Sequence, residues 1–324
     1  MAVRIALAGD TMLGRGVGEV ITEEGPDGLF AGEVVETFRR ADLSLLNLEC
    51  CVSDRGTPWR APGRPFHFRA PPEAVAVLTG LGVDCVTLAN NHALDYGREA
   101  LEDTLNHLRE AGIQTVGAGS DRAEARRPAI LRARGMTVAV LGVTDHPADY
   151  AATDTAPGVS YAPLSSGVPL WLTKDIEQLS NIHHAVVITP HWGPNMTRTP
   201  LPYIRRAAAE FLRAGATLVA GHSAHVFHGT GHRVIYDLGD LLDDYATDET
   251  LRNDLSLLWT AKIHQNRTVD LEAQPLHLTY AHTTEATGKD HTWIRTHLTE
   301  TSREFNTAVT ERKKTLKAKT SGHR

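Results

Sequence analysis

Five segments of the chain each set chemically capable side chains directly after an apolar run. Asp10 follows VRIALA (3–8), Glu49 follows LSLLNL (43–48), and Asn90-Asn91-His92 follows CVTLA (85–89). His191-Trp192-Gly193 comes after the run 185–189, and Gly221-His222-Ser223-Ala224-His225 after 217–220. Carboxylate, amide oxygen and imidazole together make a donor set for a divalent ion such as Mn, Zn, Fe or Mg. Singly, each has an ordinary explanation: an Asp after a strand caps a helix, and a lone His packs in a core or lies on the surface. Together at matched positions they point to one site, because open α/β sheets collect function at the C-terminal ends of their strands.

The apolar runs carrying these residues alternate with amphipathic stretches. A Gly-rich turn spans 9–18, and helices are expected at about 31–40, 71–82, 98–110 and 203–214. A further strand is expected at 114–117, and 130–134 with 137–143 flank Arg-Gly as a hairpin. This alternation predicts βαβ units and a largely parallel sheet. Beyond about residue 230, LSLLWTAKIH (255–264) and TVDLEAQPLHLTY (268–280) read as adjacent antiparallel strands, and a helix at about 291–305 closes the fold. The stretch 145–169, rich in Asp, Ala, Pro and Gly, reads as a long loop able to serve as a lid. Residues 1–310 then form one domain. From Glu311 the chain holds Arg312, Lys313, Lys314, Lys317, Lys319 and Arg324 against one acid, which reads as a solvated, disordered end (311–324).

Composition narrows the functional classes. The 324 residues are 41% hydrophobic, enough for a packed core, and no apolar run nears the ~20 residues of a membrane span. The start, MAVRIALAGD, runs into Asp10 too soon for a signal peptide. A net charge of −6 argues against nucleic acid as a partner, and no membrane partner is expected. Three cysteines (Cys50, Cys51, Cys85) make no disulfide framework and suit the cytoplasm. The 17 His against 7 Phe and 7 Tyr fit a protein whose chemistry runs on imidazole.

The series AGDTMLGR, LLNLEC, LANNHALDYG, PHWGP and AGHSAHVFHG resembles the CapA family, named for a poly-γ-glutamate capsule protein, from about residue 3 to 305. The resemblance implies a calcineurin-like metallophosphatase fold: an α/β/β/α sandwich of two mixed sheets flanked by helices. Carried onto matching positions, it makes Asp10, Glu49, Asn91, His191, His222 and His225 metal ligands. Glu49 stands where metallophosphatases place a bridging Asp, and His92 becomes the acid/base or charge-stabilising histidine. One departure is visible. The usual Asp-x-His motif reads Asp10-Thr11-Met12, and a thioether is a poor ligand for a hard ion. One position keeps Asp10, Glu49 and His225; the other keeps Glu49, Asn91, His191 and His222. The expectation is one tight site and a weaker second one.

Several neighbours compete for secondary roles. His146, in Asp145-His146-Pro147, is a candidate to hang over the site. His67, in Arg64-Pro65-Phe66-His67-Phe68-Arg69, is a weaker one, with Arg64 and Arg69 able to hold an anionic substrate. Cys50 and Cys51 read as one packed thiol and one that could line the pocket. Asp237, Asp240, Asp243 and Asp244 resemble a family segment that buttresses the histidine loop, as acids behind metal-bound imidazoles do. His228 and His232 read as loop histidines.

Three functions fit this set, one of them non-catalytic. One is metal-dependent hydrolysis of a phosphoester or amide. Another is an accessory part in poly-γ-glutamate synthesis; such capsule proteins are membrane-anchored, and this chain shows neither anchor nor export signal. The third is Cα epimerisation, since the resemblance extends to soluble peptide epimerases of ribosomal-peptide synthesis, lasso peptides among them. A Lewis acid acidifying Cα–H, with an acid/base group on each face, needs no metal-activated water. The sequence-level expectation is therefore a cytoplasmic, metal-dependent peptide epimerase acting on a peptide or other small anionic substrate. His92, with His146 or His67, would exchange the protons.

Overall fold

Alternating side chains on the first strand, Ala2–Thr11, enter two different cores: Val3, Ile5 and Leu7 one, Ala6 and Ala8 the other. A strand buried on both faces reads as a near-continuous apolar run, which is why VRIALA looks as it does. The computed structural model describes residues 1–61, 64–312 and 314–320. In the larger of two main sheets, Ala2–Thr11, Leu43–Leu48, Cys85–Thr87 and Gln114–Val116 run parallel side by side. Leu255–His264 and Val269–Thr279 extend that sheet antiparallel on the other side. The second sheet sets Met136–Thr144, Ala185–His191, Leu218–Ala220 and Val234–Ile235 in parallel, with Ala129–Ala133 antiparallel at its edge.

The sheets pack face to face. Val3, Ile5, Leu43 and Leu45 meet Val138, Val140, Val187 and Leu218 in a shared core that also takes in Trp259. Outside the large sheet lie helices Arg15–Glu24, Gly32–Arg40, Val75–Leu81 and Gly97–Glu110, on Ala6, Ala8, Leu46 and Leu48. Outside the second lie Leu170–Ile182 and Pro202–Ala214, on Val186 and Ile188. The result is the α/β/β/α sandwich expected from the sequence, a metallophosphatase-like fold.

Three expectations need correction. The Gly-rich turn is shorter than read, because the first strand continues to Thr11 and a helix begins at Arg15. The stretch 145–169 is not a free lid: Tyr150 is fully buried, and Gly158–Val159 pairs with Ala118–Gly119. The basic end is not frayed through 320. Thr307–Arg312 and Thr315–Thr320 form a hairpin whose second strand pairs with Val269–Thr279, and Leu316 reaches the inter-sheet core. Lys313 and residues 321–324, with Arg324, lie outside the described residues. The lysines mislead because they occupy the open face of a strand whose alternate residues face inward.

Leu316→Ala should therefore lower the unfolding free energy by about 2–5 kcal/mol, the usual range for truncating a buried leucine. Urea titration followed by fluorescence measures it, and an unchanged midpoint would mean the hairpin does not pack as described.

Candidate metal centre

Five parallel strands, Ala2–Thr11, Leu43–Leu48, Cys85–Thr87, Ala185–His191 and Leu218–Ala220, end where side chains of the centre begin. Register slips between Ala8 and Asp10 against the neighbouring strand, a bulge that re-aims the Asp10 carboxylate. Gly9 permits it: a Cβ there would collide with the Gly239 carbonyl oxygen. In the second sheet, an isolated parallel bridge between His191 and His222 sets those two imidazoles side by side. The loop carrying His225 holds Ser223 at φ 119° and His225 at φ 59°, both left-handed. Two carboxylates pin it: Asp10 Oδ2 accepts the Ser223 N–H (3.2 Å) and Asp237 Oδ2 the Ala224 N–H (2.8 Å).

Two groups of ligand atoms result, each within 4.8 Å of one another: Asp10 with His191 and His222, and Asp10 with Glu49 and His225. Glu49 turns Oε1 toward His191 Nε2 and Oε2 toward His225 Nδ1, both at 3.9 Å. His191 Nδ1 and His222 Nδ1 lie 2.8 Å apart, hydrogen-bonding distance, so one of the two carries a proton. Asn90 is fully engaged, its Nδ2 donating to Asn47 Oδ1 and the Leu48 carbonyl. Asn91 is not. Its Oδ1, both Glu49 oxygens and His191 Nε2 are buried and unpartnered among the described residues. Glu49 and His191 face each other, Asn91 follows the neighbouring strand Cys85–Thr87, and orphaned acceptors of these three chemical types fit a divalent ion.

Electrostatics agree with the geometry. Burial pushes Asp10 up to about 7, Asp240 up to about 8 and Glu49 well above the carboxylate range. It pulls His222 down to about 3 and holds His191 well below its ordinary value. Burial thus favours neutral His191 and His222, the ligating form, and a cation beside the carboxylates would favour their ionised form.

His92 stands next to this group. Its Nδ1 is 2.6 Å from Asp95 Oδ2, and its ring stacks on Phe68 at 3.9 Å. Asp95 also accepts the Phe68 N–H at 2.7 Å and the Tyr150 hydroxyl at 2.9 Å. His146 repeats the pattern, with Nδ1 2.5 Å from Asp145 Oδ1 and its ring 5.2 Å from that of His191. His67 does not join them: its Nε2 is bonded to the Trp59 carbonyl (2.9 Å), so it ties down its own loop. Met12 turns its sulfur to the Gly14 N–H (3.1 Å) rather than offering it as a ligand. Neither Cys50 nor Cys51 is available, as both are buried and their thiols are held high by burial. Asp240 buttresses the site as expected, 3.0 Å from His225 Nδ1. His228 bonds the Thr197 carbonyl at 2.7 Å. Sequence reading missed Asp95, Tyr150 and Tyr245. The last is edge-on to His225 at 5.2 Å, and the ALDYG and DDY strings that contain Asp95 and Tyr245 were the available signals.

A two-sheet metallophosphatase-like sandwich with a buried carboxylate–imidazole centre at its strand ends is the class that fold and site define. Residues 4–245 match the family described as bacterial capsule synthesis protein PGA_cap, and the chain belongs to that family. It is 27% identical to a probable polyglutamine synthesis accessory protein of Mycobacterium tuberculosis, over 96% of this chain and 94% of that protein. It is 30% identical to the PGA biosynthesis protein CapA of Bacillus subtilis, over 76% of this chain and 64% of that one. Among solved structures, a hypothetical protein from Thermus thermophilus aligns at 14% identity with a TM-score of 0.47, over 82% of this chain and 95% of that one. No helix among the described residues is long and apolar enough to cross a membrane.

Linkage fixes the sign of the pH response. In the metal-free protein, Asp10 and Asp240 keep protons that their unfolded counterparts shed near pH 4, so stability falls as pH rises toward about 8. The lowered His222 has the opposite effect, but only below its unfolded value of 6.5. Chelated protein should therefore lose melting temperature between about pH 7 and 8, while manganese-loaded protein should not. Glu49→Gln should also abolish stoichiometric manganese binding, measured by plasma mass spectrometry.

Proposed function

We propose that this chain is a metal-dependent accessory protein in the synthesis of a glutamate polymer, its centre engaging the carboxylates and amides of that polymer. The set of unpartnered ligand atoms at Glu49, Asn91 and His191 carries the reading, because it gives the chain a built site for a divalent cation, to which the oxygens of a carboxylate- and amide-rich polymer can bind. Relatives matched over most of the chain are named for polyglutamine or PGA synthesis, which favours a polymer over a phosphoester or a lasso-peptide precursor. Its three cysteines are free, buried thiols, which suits work in the cytoplasm.

Asp10, Glu49, Asn91, His191, His222 and His225 would hold the ion, which when bound supplies Lewis-acid polarisation of a carboxylate or amide oxygen. The chain's own groups handle the proton. Asp95 fixes His92 through Nδ1, leaving Nε2 as the nitrogen that gives or takes it. Phe68 fixes the plane of the ring, and Tyr150 keeps the carboxylate behind it oriented.

A second reading, proton exchange at Cα of a peptide, is favoured by one observation. His146–Asp145 is another histidine–carboxylate pair beside the same centre, and removal and return of a proton on opposite faces needs two such groups.

One experiment separates these readings. Manganese-loaded protein is incubated in heavy water with poly-γ-glutamate, then examined by calorimetry, gel sizing and mass spectrometry. Metal-dependent binding is the expected result. Shortening of the chain would mark amide hydrolysis, and deuterium at Cα would mark proton exchange. Absence of metal-dependent binding would refute the proposal. His92→Ala should retain its manganese while any turnover falls by roughly 10²–10⁴-fold, the usual worth of a positioned acid or base.

A further inference from the structure

Tyr245 carries a hydroxyl for which the fold has no use. Strand Asp240–Leu242 pairs in parallel with the first strand, so Asp243, Asp244 and Tyr245 emerge at the edge where Gly14 and Arg15 leave it. The Tyr245 N–H donates to Asp243 Oδ1 at 2.8 Å, and this tight turn sends the ring back toward the centre. There it stands edge-on to His225, 5.2 Å between centroids, and 5.8 Å from Phe68, the ring that stacks on His92. Its hydroxyl oxygen is buried and unpartnered among the described residues. A phenylalanine would fill the same space without the desolvation penalty of an unmade hydrogen bond.

Arg15 lies above the same rings. Its guanidinium is 5.3 Å from the Phe68 centroid and 5.8 Å from that of Tyr245. Asp244, itself nearly buried, accepts from Arg15 Nε at 3.1 Å and lies 3.0 Å from Nη2, which leaves Nη1 for another acceptor. Arg15 also holds φ 48°, a left-handed conformation that costs a non-glycine residue energy and persists where surroundings impose it. A strained backbone, a carboxylate clamp and an aromatic floor thus fix one cation at the rim of the centre.

We infer that the Tyr245 hydroxyl and the Arg15 guanidinium form a carboxylate subsite beside the metal centre, receiving a side carboxylate of an anionic peptide. The phenol donates to one carboxylate oxygen from inside, and the guanidinium meets the group from the rim. Phe68 and the Tyr245 ring provide the apolar floor for the methylenes that carry it. The subsite rests on the glutamate-polymer reading for its substrate and adds the residues that would select it.

Calorimetry with manganese-loaded full-length protein and a γ-linked glutamate hexamer tests this. Tyr245→Phe should keep its manganese, melt at the same or a higher temperature, and bind the hexamer about 10-fold more weakly, as loss of one hydrogen bond to a charged group implies. Arg15→Gln should keep its manganese too, weaken binding by a similar factor, and reduce its salt dependence. Loss of manganese in Tyr245→Phe, a lower melting temperature, or unchanged affinity would each overturn the subsite. If wild-type protein ignores the γ-linked hexamer, the polymer reading falls by itself and an α-linked glutamate hexamer becomes the probe. Binding of that probe weakened by Tyr245→Phe keeps the subsite, and failure of both probes overturns it.

Discussion

Asp10, Glu49 and Asp240 are buried together, and among the described residues the ion pairs they form are with histidines, none with lysine or arginine. Burying carboxylates without compensating charge is among the most costly arrangements a fold can make. Two of the surrounding imidazoles do not relieve it, because the same burial holds His191 and His222 neutral. A divalent ion resolves both problems at once, accepting neutral nitrogen and ionised oxygen in one shell. The bulge at Gly9 and the left-handed residues of the 222–225 loop are local costs borne to keep those atoms in place.

The centre draws on both sheets. Asp10, Glu49 and Asn91 stand at or just beyond the ends of strands of the large sheet, and His191, His222 and His225 at or just beyond the ends of strands of the second. The ion would therefore add a polar tie between two layers that meet through the apolar inter-sheet core. Loops from both sides join near the same place: Trp59 and Arg64 bond Asp149, and Arg64 stacks on Tyr150, whose hydroxyl reaches Asp95. His92 is thereby positioned by residues from both halves of the sandwich, and its orientation depends on their alignment.

Residues at the ends of buried strands were legible in the sequence because burial on both faces writes an apolar run, and the first polar residue after it marks the sheet edge. Asp10, Glu49 and His191 stand out for that reason. Tyr245 and Asp95 carry no such mark, since turns far along the chain return them to the site, and their roles appear only through their partners. The helix Leu170–Ile182 was also missed. Its inward residues Leu172 and Ile176 keep helical spacing, but it begins beside the Pro- and Gly-rich stretch read as loop. Family membership favours a glutamate polymer over the peptide-epimerase function first expected, an expectation that rested on the resemblance to soluble epimerases and on chemistry that needs no metal-activated water.

Anomalous diffraction from manganese-soaked crystals tests the central claim most directly. A manganese peak enclosed by the Glu49 carboxylate, Asn91 Oδ1 and His191 Nε2 is the predicted result. Crystals that show no peak there, or show manganese only at surface acids, would contradict it.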